Sequence, residues 1–226
     1  MKNISLMMMM AFLLAFTACE EDVETFGRGD KTMTVRPGGP GDKVVVPGEL
    51  PYPKIIRRTY IPEYDLFSDT RCNAIRIEWP AYEEGVDPEM IPDLLTTATQ
   101  SLYSFNYAKS DPVIKASLDF SLYHENKLQT PYNTPGLYPL GGYTGEFPKF
   151  VKHNIGKETI EHWVTERPGH FESYYKNSKE PKTDEVDYQE GDFFLMYLDK
   201  KNRYGGVRIV SESPRIIEVY ITEQNL

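Results

Sequence analysis

Alternation of apolar and polar residues runs through much of the chain from residue 54 onward. Ile55 to Ile61 is rich in β-branched and aromatic residues. Asn73 to Trp79 places Ala74, Arg76 and Glu78 on one face and Ile75, Ile77 and Trp79 on the other. That two-residue period is the signature of a half-buried strand, and Pro80 ends it. Trp79, beside two isoleucines, belongs to the expected core. Val113 to Tyr123 alternates too, with Ala116, Leu118, Phe120 and Leu122 separated by polar residues, and reads as a strand. The last third is the clearest. An apolar run from Asp192 to Leu198 is followed by a turn at Asp199–Arg203, a strand from Tyr204 to Val210, a turn at Glu212–Arg215 and a strand from Ile216 to Thr222. This is a β-meander, with Gly191, Gly205 and Gly206 marking tight places or bulges.

Helical periodicity is rarer. From Asp87 to Leu102, Met90, Ile91, Leu94, Leu95, Ala98 and Leu102 recur at three- and four-residue steps, behind a capping Asp87 and a first-turn Pro88. The spacing predicts a helix there. Lys157 to Arg167 predicts a short helix with Ile160, Trp163 and Val164 inward, ended by Pro168-Gly169, although Thr159 to Thr165 also fits a strand. Lys176 to Glu190 is polar and reads as a loop. The fold class expected is mainly β, an antiparallel β-sandwich with one or two short helices; the alternative is α+β.

The chain divides unevenly. Residues 54–226 carry the patterning and form one expected β-rich domain. Residues 19–53 hold Arg36-Pro-Gly-Gly-Pro-Gly41, Pro47-Gly48, Pro51 and Pro53, a density of proline and glycine that opposes regular structure. They read as a tether, with Val44–Val46 as a possible edge strand. Residues 1–18 hold one charge, Lys2, and an apolar run from Ile4 to Phe16. The run is shorter than the ~20 residues that span a bilayer, and small residues follow it, so it reads as a secretory signal peptide.

Phe16-Thr17-Ala18-Cys19 resembles a bacterial lipobox. The resemblance implies that Cys19 becomes the mature N-terminus and carries lipid, holding the chain to a membrane; two acyl chains anchor stably where one does not. An ordinary signal peptide with a cysteine nearby is the alternative. Glu20-Glu21-Asp22 resembles the surface-export signal of Bacteroidota lipoproteins, which implies the outer membrane with the domain facing the cell exterior. Gly191-Asp192 followed by Arg203-Tyr-Gly-Gly-Val-Arg-Ile209 is similar to a C-terminal hairpin of many β-rich Bacteroidota lipoproteins.

Charge narrows the partners. A net charge of −9 disfavours nucleic acid, whose phosphates an acidic chain repels. With two cysteines in the chain, lipidation of Cys19 leaves Cys72 alone, as a small buried hydrophobe in a strand-like run. The chain lacks a Gly-x-Ser-x-Gly elbow, a His-Glu-x-x-His motif, a phosphate loop and a dinucleotide fingerprint, so a non-enzymatic role without a cofactor is expected, and an enzyme whose cleft holds convergent carboxylates is a remaining class.

Aromatic residues, 16 Tyr among them, keep a binding role in view. The segment 130–148 interleaves proline and glycine with Tyr132, Tyr138, Tyr143 and Phe147. A loop of that composition is either a recognition surface or an Ω-type cap on the core. Tyr132, Tyr138, Tyr143 and Trp163 are the candidate ligand-binding residues, their ring faces stacking on sugar. The resemblance to Bacteroidota surface lipoproteins implies glycan as the ligand. A structural or adhesion part in a surface assembly, with an outer-membrane protein as partner, is the first alternative. The second is haem, because His153, His162 and His170 lie close in sequence beside Trp163, Phe171 and Tyr174-Tyr175.

Overall fold

The computed structural model describes residues 31–34, 50–61, 70–123, 126–131 and 143–224. The strands in chain order are β1 Lys31–Thr34, β2 Lys54–Tyr60, β3 Thr70–Glu78, β4 Pro92–Thr96, β5 Ser101–Ser104 and β6 Phe120–Tyr123, then β7 Lys127–Gln129, β8 Lys149–Lys152, β9 Glu185–Asp187, β10 Phe193–Leu198, β11 Arg203–Glu212 and β12 Arg215–Gln224. The helices are α1 Phe105–Ala108, α2 Pro112–Ser117, α3 Lys157–Glu166 and α4 Gly169–Asn177. All strand pairings among the described residues are antiparallel. One sheet has seven strands in the order β1-β2-β3-β12-β11-β10-β8, and the other has five in the order β5-β4-β6-β7-β9.

The two sheets face each other across the main core. Ile55, Ile75, Ile77, Val207, Ile217 and Val219 of the larger sheet pack with Leu95, Leu102, Phe120, Leu122 and Leu128 of the smaller. The chain is therefore mainly β and antiparallel, with a sandwich-like arrangement. Trp79 closes the same core, and its indole N–H donates to the Pro92 carbonyl at 2.9 Å. The meander falls where its alternation puts it, in β10, β11 and β12, with a bulge between Ile209 and Ser211.

Five expectations change. The helix expected over Asp87–Leu102 is a 3-10 turn at Pro88–Met90 followed by β4 and β5. Asp87 does cap, its carboxylate accepting from the Glu89 N–H at 2.9 Å, but Pro92 and the threonines beyond it favour extended chain. Leu94 and Leu95 are both fully buried because β4 is covered on both faces, which mimics a helical pair. The strand expected over Val113–Tyr123 begins as α2, because Asp111 accepts from the N–H groups of Val113 at 2.8 Å and Ile114 at 3.1 Å behind a first-turn Pro112. Pro168-Gly169 does not merely stop α3; it starts α4. The loop expected over Lys176–Glu190 contains β9. Within the segment expected as a tether, β1 pairs with β2, Thr34 lying opposite Lys54. Val44–Val46 lies outside the described residues.

Among the described residues three carboxyl groups lie in the interior, Asp93, Asp119 and Glu146, and Asp93 is the one whose pKa burial brings near neutrality. Asp93 of β4 is 3% exposed. Burial pushes its pKa up to about 7, against the pull of the Arg215 cation. Arg215 itself lies over the Trp79 ring at 3.8 Å and donates to the Leu122 carbonyl at 2.7 Å. The Tyr82 hydroxyl nearby is buried. A folded-state pKa above the unfolded one gives stability that is complete at acid pH and is lost as pH rises through about 7. An Asp93→Asn variant removes this loss. Melting curves from pH 5 to 8 are expected to show the variant gaining on the native chain as pH rises; parallel curves would show that Asp93 does not titrate there.

Candidate functional site: a cleft beside a helix-covered sheet

The outer face of the seven-stranded sheet has two unlike halves. Around β10 and Tyr220 of β12 it is apolar, with Phe193, Leu195 and Tyr220 pointing outward, and α3 and α4 cover it. Ile160, Trp163, Val164, Phe171 and Tyr175 face down from the helices. Gly206 makes room, since a Cβ there would stand 2.5 Å from the Phe193 ring and 3.1 Å from Phe171. Over β2 and β3 the same face is charged and open. The cross-strand row Ile56–Arg76–Glu218–Arg208 follows directly from the register.

At the boundary lies a cleft of about 340 Å³. Its floor is Ile56, Ala74 and Tyr220. Arg58 and Arg76 rise from the sheet, and Lys157, Glu161 and Thr165 come down from α3. The polar groups are held by their neighbours. Arg76 donates to Glu78 and to Glu218, both at 2.8 Å. Glu218 also accepts from the Tyr220 hydroxyl at 2.7 Å and from Arg208 at 3.3 Å. The hydrogen bond from Arg76 holds the Glu78 carboxyl below its usual range, and the same bond raises the Arg76 guanidinium. Burial pushes the Tyr220 phenol up. Lys157 and Glu161 form an i,i+4 pair at 3.4 Å. Charge-assisted bonds of this kind fix planar groups in place.

Two residues singled out in the sequence, Trp163 and Tyr143, lie elsewhere. Trp163 is 2% exposed. Its ring stacks on Tyr174 at 4.6 Å and meets Phe171 edge-on at 5.7 Å, so it packs the helices onto the sheet instead of offering a face to ligand. Tyr143 is also buried, with its hydroxyl between the carbonyls of Leu118, at 3.1 Å, and Glu146; at this residue the segment 130–148 folds back onto the core. Cys19, Tyr132 and Tyr138 lie outside the described residues.

His153 and His170 both pack on Tyr174, at 5.4 and 5.7 Å, and on Trp163, at 5.9 and 5.7 Å. Burial lowers the pKa of each. His162 faces Glu166 on the exposed side of α3 at 3.3 Å. Among the described residues no cluster of three or more His, Cys, Asp or Glu side chains suits a metal ion. Cys72 is fully buried, and desolvation raises its thiol far above the reactive range. The cleft residues escaped the sequence reading because β2, β3, β12 and α3 meet only in three dimensions.

No known protein family and no curated protein matches the sequence. A crystal structure of a DUF4466 family protein from Parabacteroides merdae is similar at a TM-score of 0.39 and 10% sequence identity, over 68% of this chain. The match spans 62% of that protein's length.

The packing role of Trp163 has a direct consequence. Trp163→Ala is expected to cost about 3–5 kcal/mol, the usual range for emptying an aromatic site in a core. Urea unfolding measures it. A loss below about 0.5 kcal/mol, the scale of surface substitutions, would return Trp163 to the surface.

Proposed function

We propose that this protein is a lipid-anchored protein of the outer-membrane surface that binds glycan, without catalysing a reaction, in the cleft between α3 and the seven-stranded sheet. The observation that carries the reading is the cleft itself: fixed guanidinium and carboxylate groups beside an apolar and aromatic floor. Sugars present hydroxyls that both donate and accept, along the edge of a ring whose C–H face is apolar. Arg76 and Glu218 supply planar partners of both kinds, and Tyr220 and Ile56 border the apolar floor. The volume sits at the small end of the range for ligand sites, about 300–1,000 Å³, and suits one or two sugar units. The anchor and the exterior location rest on the resemblance of the N-terminal residues to lipoprotein signals.

A glycan-array screen of the full chain tests the binding. Arg58→Ala and Lys157→Ala alter exposed cleft residues and are each expected to weaken binding about tenfold, equivalent to ~1.4 kcal/mol. Tyr132→Ala with Tyr138→Ala is expected to leave it unchanged. The opposite pattern would move the site to the segment 130–148. Failure to bind any glycan would remove the reading and leave a protein partner.

The anchor has its own test. Metabolic labelling with a palmitate analogue is expected to mark the native chain and not Cys19→Ser, and the variant is expected to leave the membrane fraction. Equal labelling of both would rule out Cys19 as the lipid carrier.

A further inference from the structure

We propose that Lys201 and Asp119 are joined by an isopeptide bond that the folded chain forms by itself, with Glu146 as proton relay, so that the two sheets are linked covalently. Asp119 stands directly before β6 of the five-stranded sheet, and Lys201 lies in the turn between β10 and β11 of the seven-stranded sheet. The Lys201 ammonium donates to Oδ1 of Asp119. The two residues are 82 positions apart in the chain, and only the packing of one sheet on the other brings them together.

The carboxylate is held as a reactant must be. Asp119 is fully buried, and its backbone N–H donates to the Leu95 carbonyl at 2.8 Å. Its Oδ2 accepts from the Thr97 N–H at 2.5 Å and from the Thr97 hydroxyl at 2.6 Å, which leaves Oδ1 to Lys201. In the other lysine–aspartate pairs among the described residues the carboxylate keeps some contact with water. Glu146 is tied in beside the pair, its N–H donating to the Leu118 carbonyl at 3.0 Å. It is 2% exposed. One carboxyl oxygen accepts from the Lys200 N–H at 2.9 Å, and the other has no hydrogen-bond partner. Burial raises the Glu146 pKa; the Asp119 charge adds to the rise and the Lys201 charge opposes it, so this carboxyl senses both members of the pair.

The chemistry follows from these positions. A buried ammonium and carboxylate both lose their hydration, whereas the amide that replaces them is neutral. An amine in contact with a carboxylate oxygen is poised on the carbon that carries it, and reacting atoms in such arrangements stand about 3–3.5 Å apart. The ammonium loses a proton to Glu146, and the freed amine forms a bond from Nζ to Cγ of Asp119. The carbonyl electron pair moves onto Oδ2, where the two Thr97 donors stabilise it. When that pair returns, the Cγ–Oδ1 bond breaks and Oδ1 keeps the bonding electrons. Oδ1 takes the proton held on Glu146 and a second from Nζ, and departs as water. Ammonium and carboxylate thus become amide and water, and nothing is oxidised or reduced. The Lys201 side chain is 25% exposed and borders a cavity of about 240 Å³, which gives the water a way out. The bond does not depend on whether the α3 cleft binds glycan.

Intact mass under denaturing conditions reads the bond. The native full chain is expected to be lighter by one water molecule than Lys201→Arg, after correction for the substitution. A proteolytic digest of the native chain is expected to yield a branched peptide that joins the segments around Asp119 and Lys201. A folded native chain without that mass loss, giving separate Asp119 and Lys201 peptides, would overturn the proposal and leave a buried ion pair. This outcome is read on the native chain alone and holds even where a variant fails to fold. In cell-free synthesis, Glu146→Gln with a native circular-dichroism spectrum is expected to lose the water ~100-fold more slowly than the native chain, the scale of a positioned acid–base group. Loss at the native rate would overturn the role of Glu146.

Discussion

The structure depends on one sheet that is apolar on both faces over half its width. β10 reads Phe-Phe-Leu-Met-Tyr-Leu without a polar break. Phe194 and Met196 go into the core between the sheets, and Phe193 and Leu195 go out. A strand of that kind must be covered twice. The small sheet covers the inner face, and α3 and α4 cover the outer one through Trp163, Phe171 and Tyr175. Two adjacent glycines in β11 allow the close approach. A Cβ on Gly205 would stand 2.0 Å from the Tyr220 carbonyl, and one on Gly206 would strike Phe193. Where the apolar half ends, the helices end their cover, and the charged ladder of Arg76, Glu218 and Arg208 begins. The cleft is the step between the two.

Much of this architecture is legible in the residues. The meander is readable because alternation and turn residues agree in the last third of the chain. Trp79 is readable as core because the isoleucines two and four places before it share its face. The region 87–123 is misread for a physical reason: Leu94 and Leu95 are buried on opposite faces of a doubly covered strand, and two adjacent buried leucines fit a helix as well as a strand. The Asp111-Pro112 pair was the available signal for α2, and Phe171 with Tyr175, four residues apart, was the signal for α4.

The site is less legible than the fold. Trp163 was singled out because tryptophan suits ligand stacking, but the same ring is what two helices need to bind a sheet. Arg58, Arg76, Lys157 and Glu218 belong to four separate elements, and their convergence follows from strand register and helix placement. The burial of Thr96, Ser121 and Gln129 is hidden for a related reason: polar residues alternating with leucine and phenylalanine read as the solvent side of a strand.

Backbone hydrogen exchange is the most direct test of where this molecule binds. The full chain is exchanged with and without a pool of free neutral and acidic oligosaccharides. The account predicts slower exchange on the cleft-lining parts of β2 and β3 and over α3, with β8 and β9 unchanged. Protection confined to β8 and β9, or absent throughout, would contradict a glycan site at the step between the helices and the open sheet.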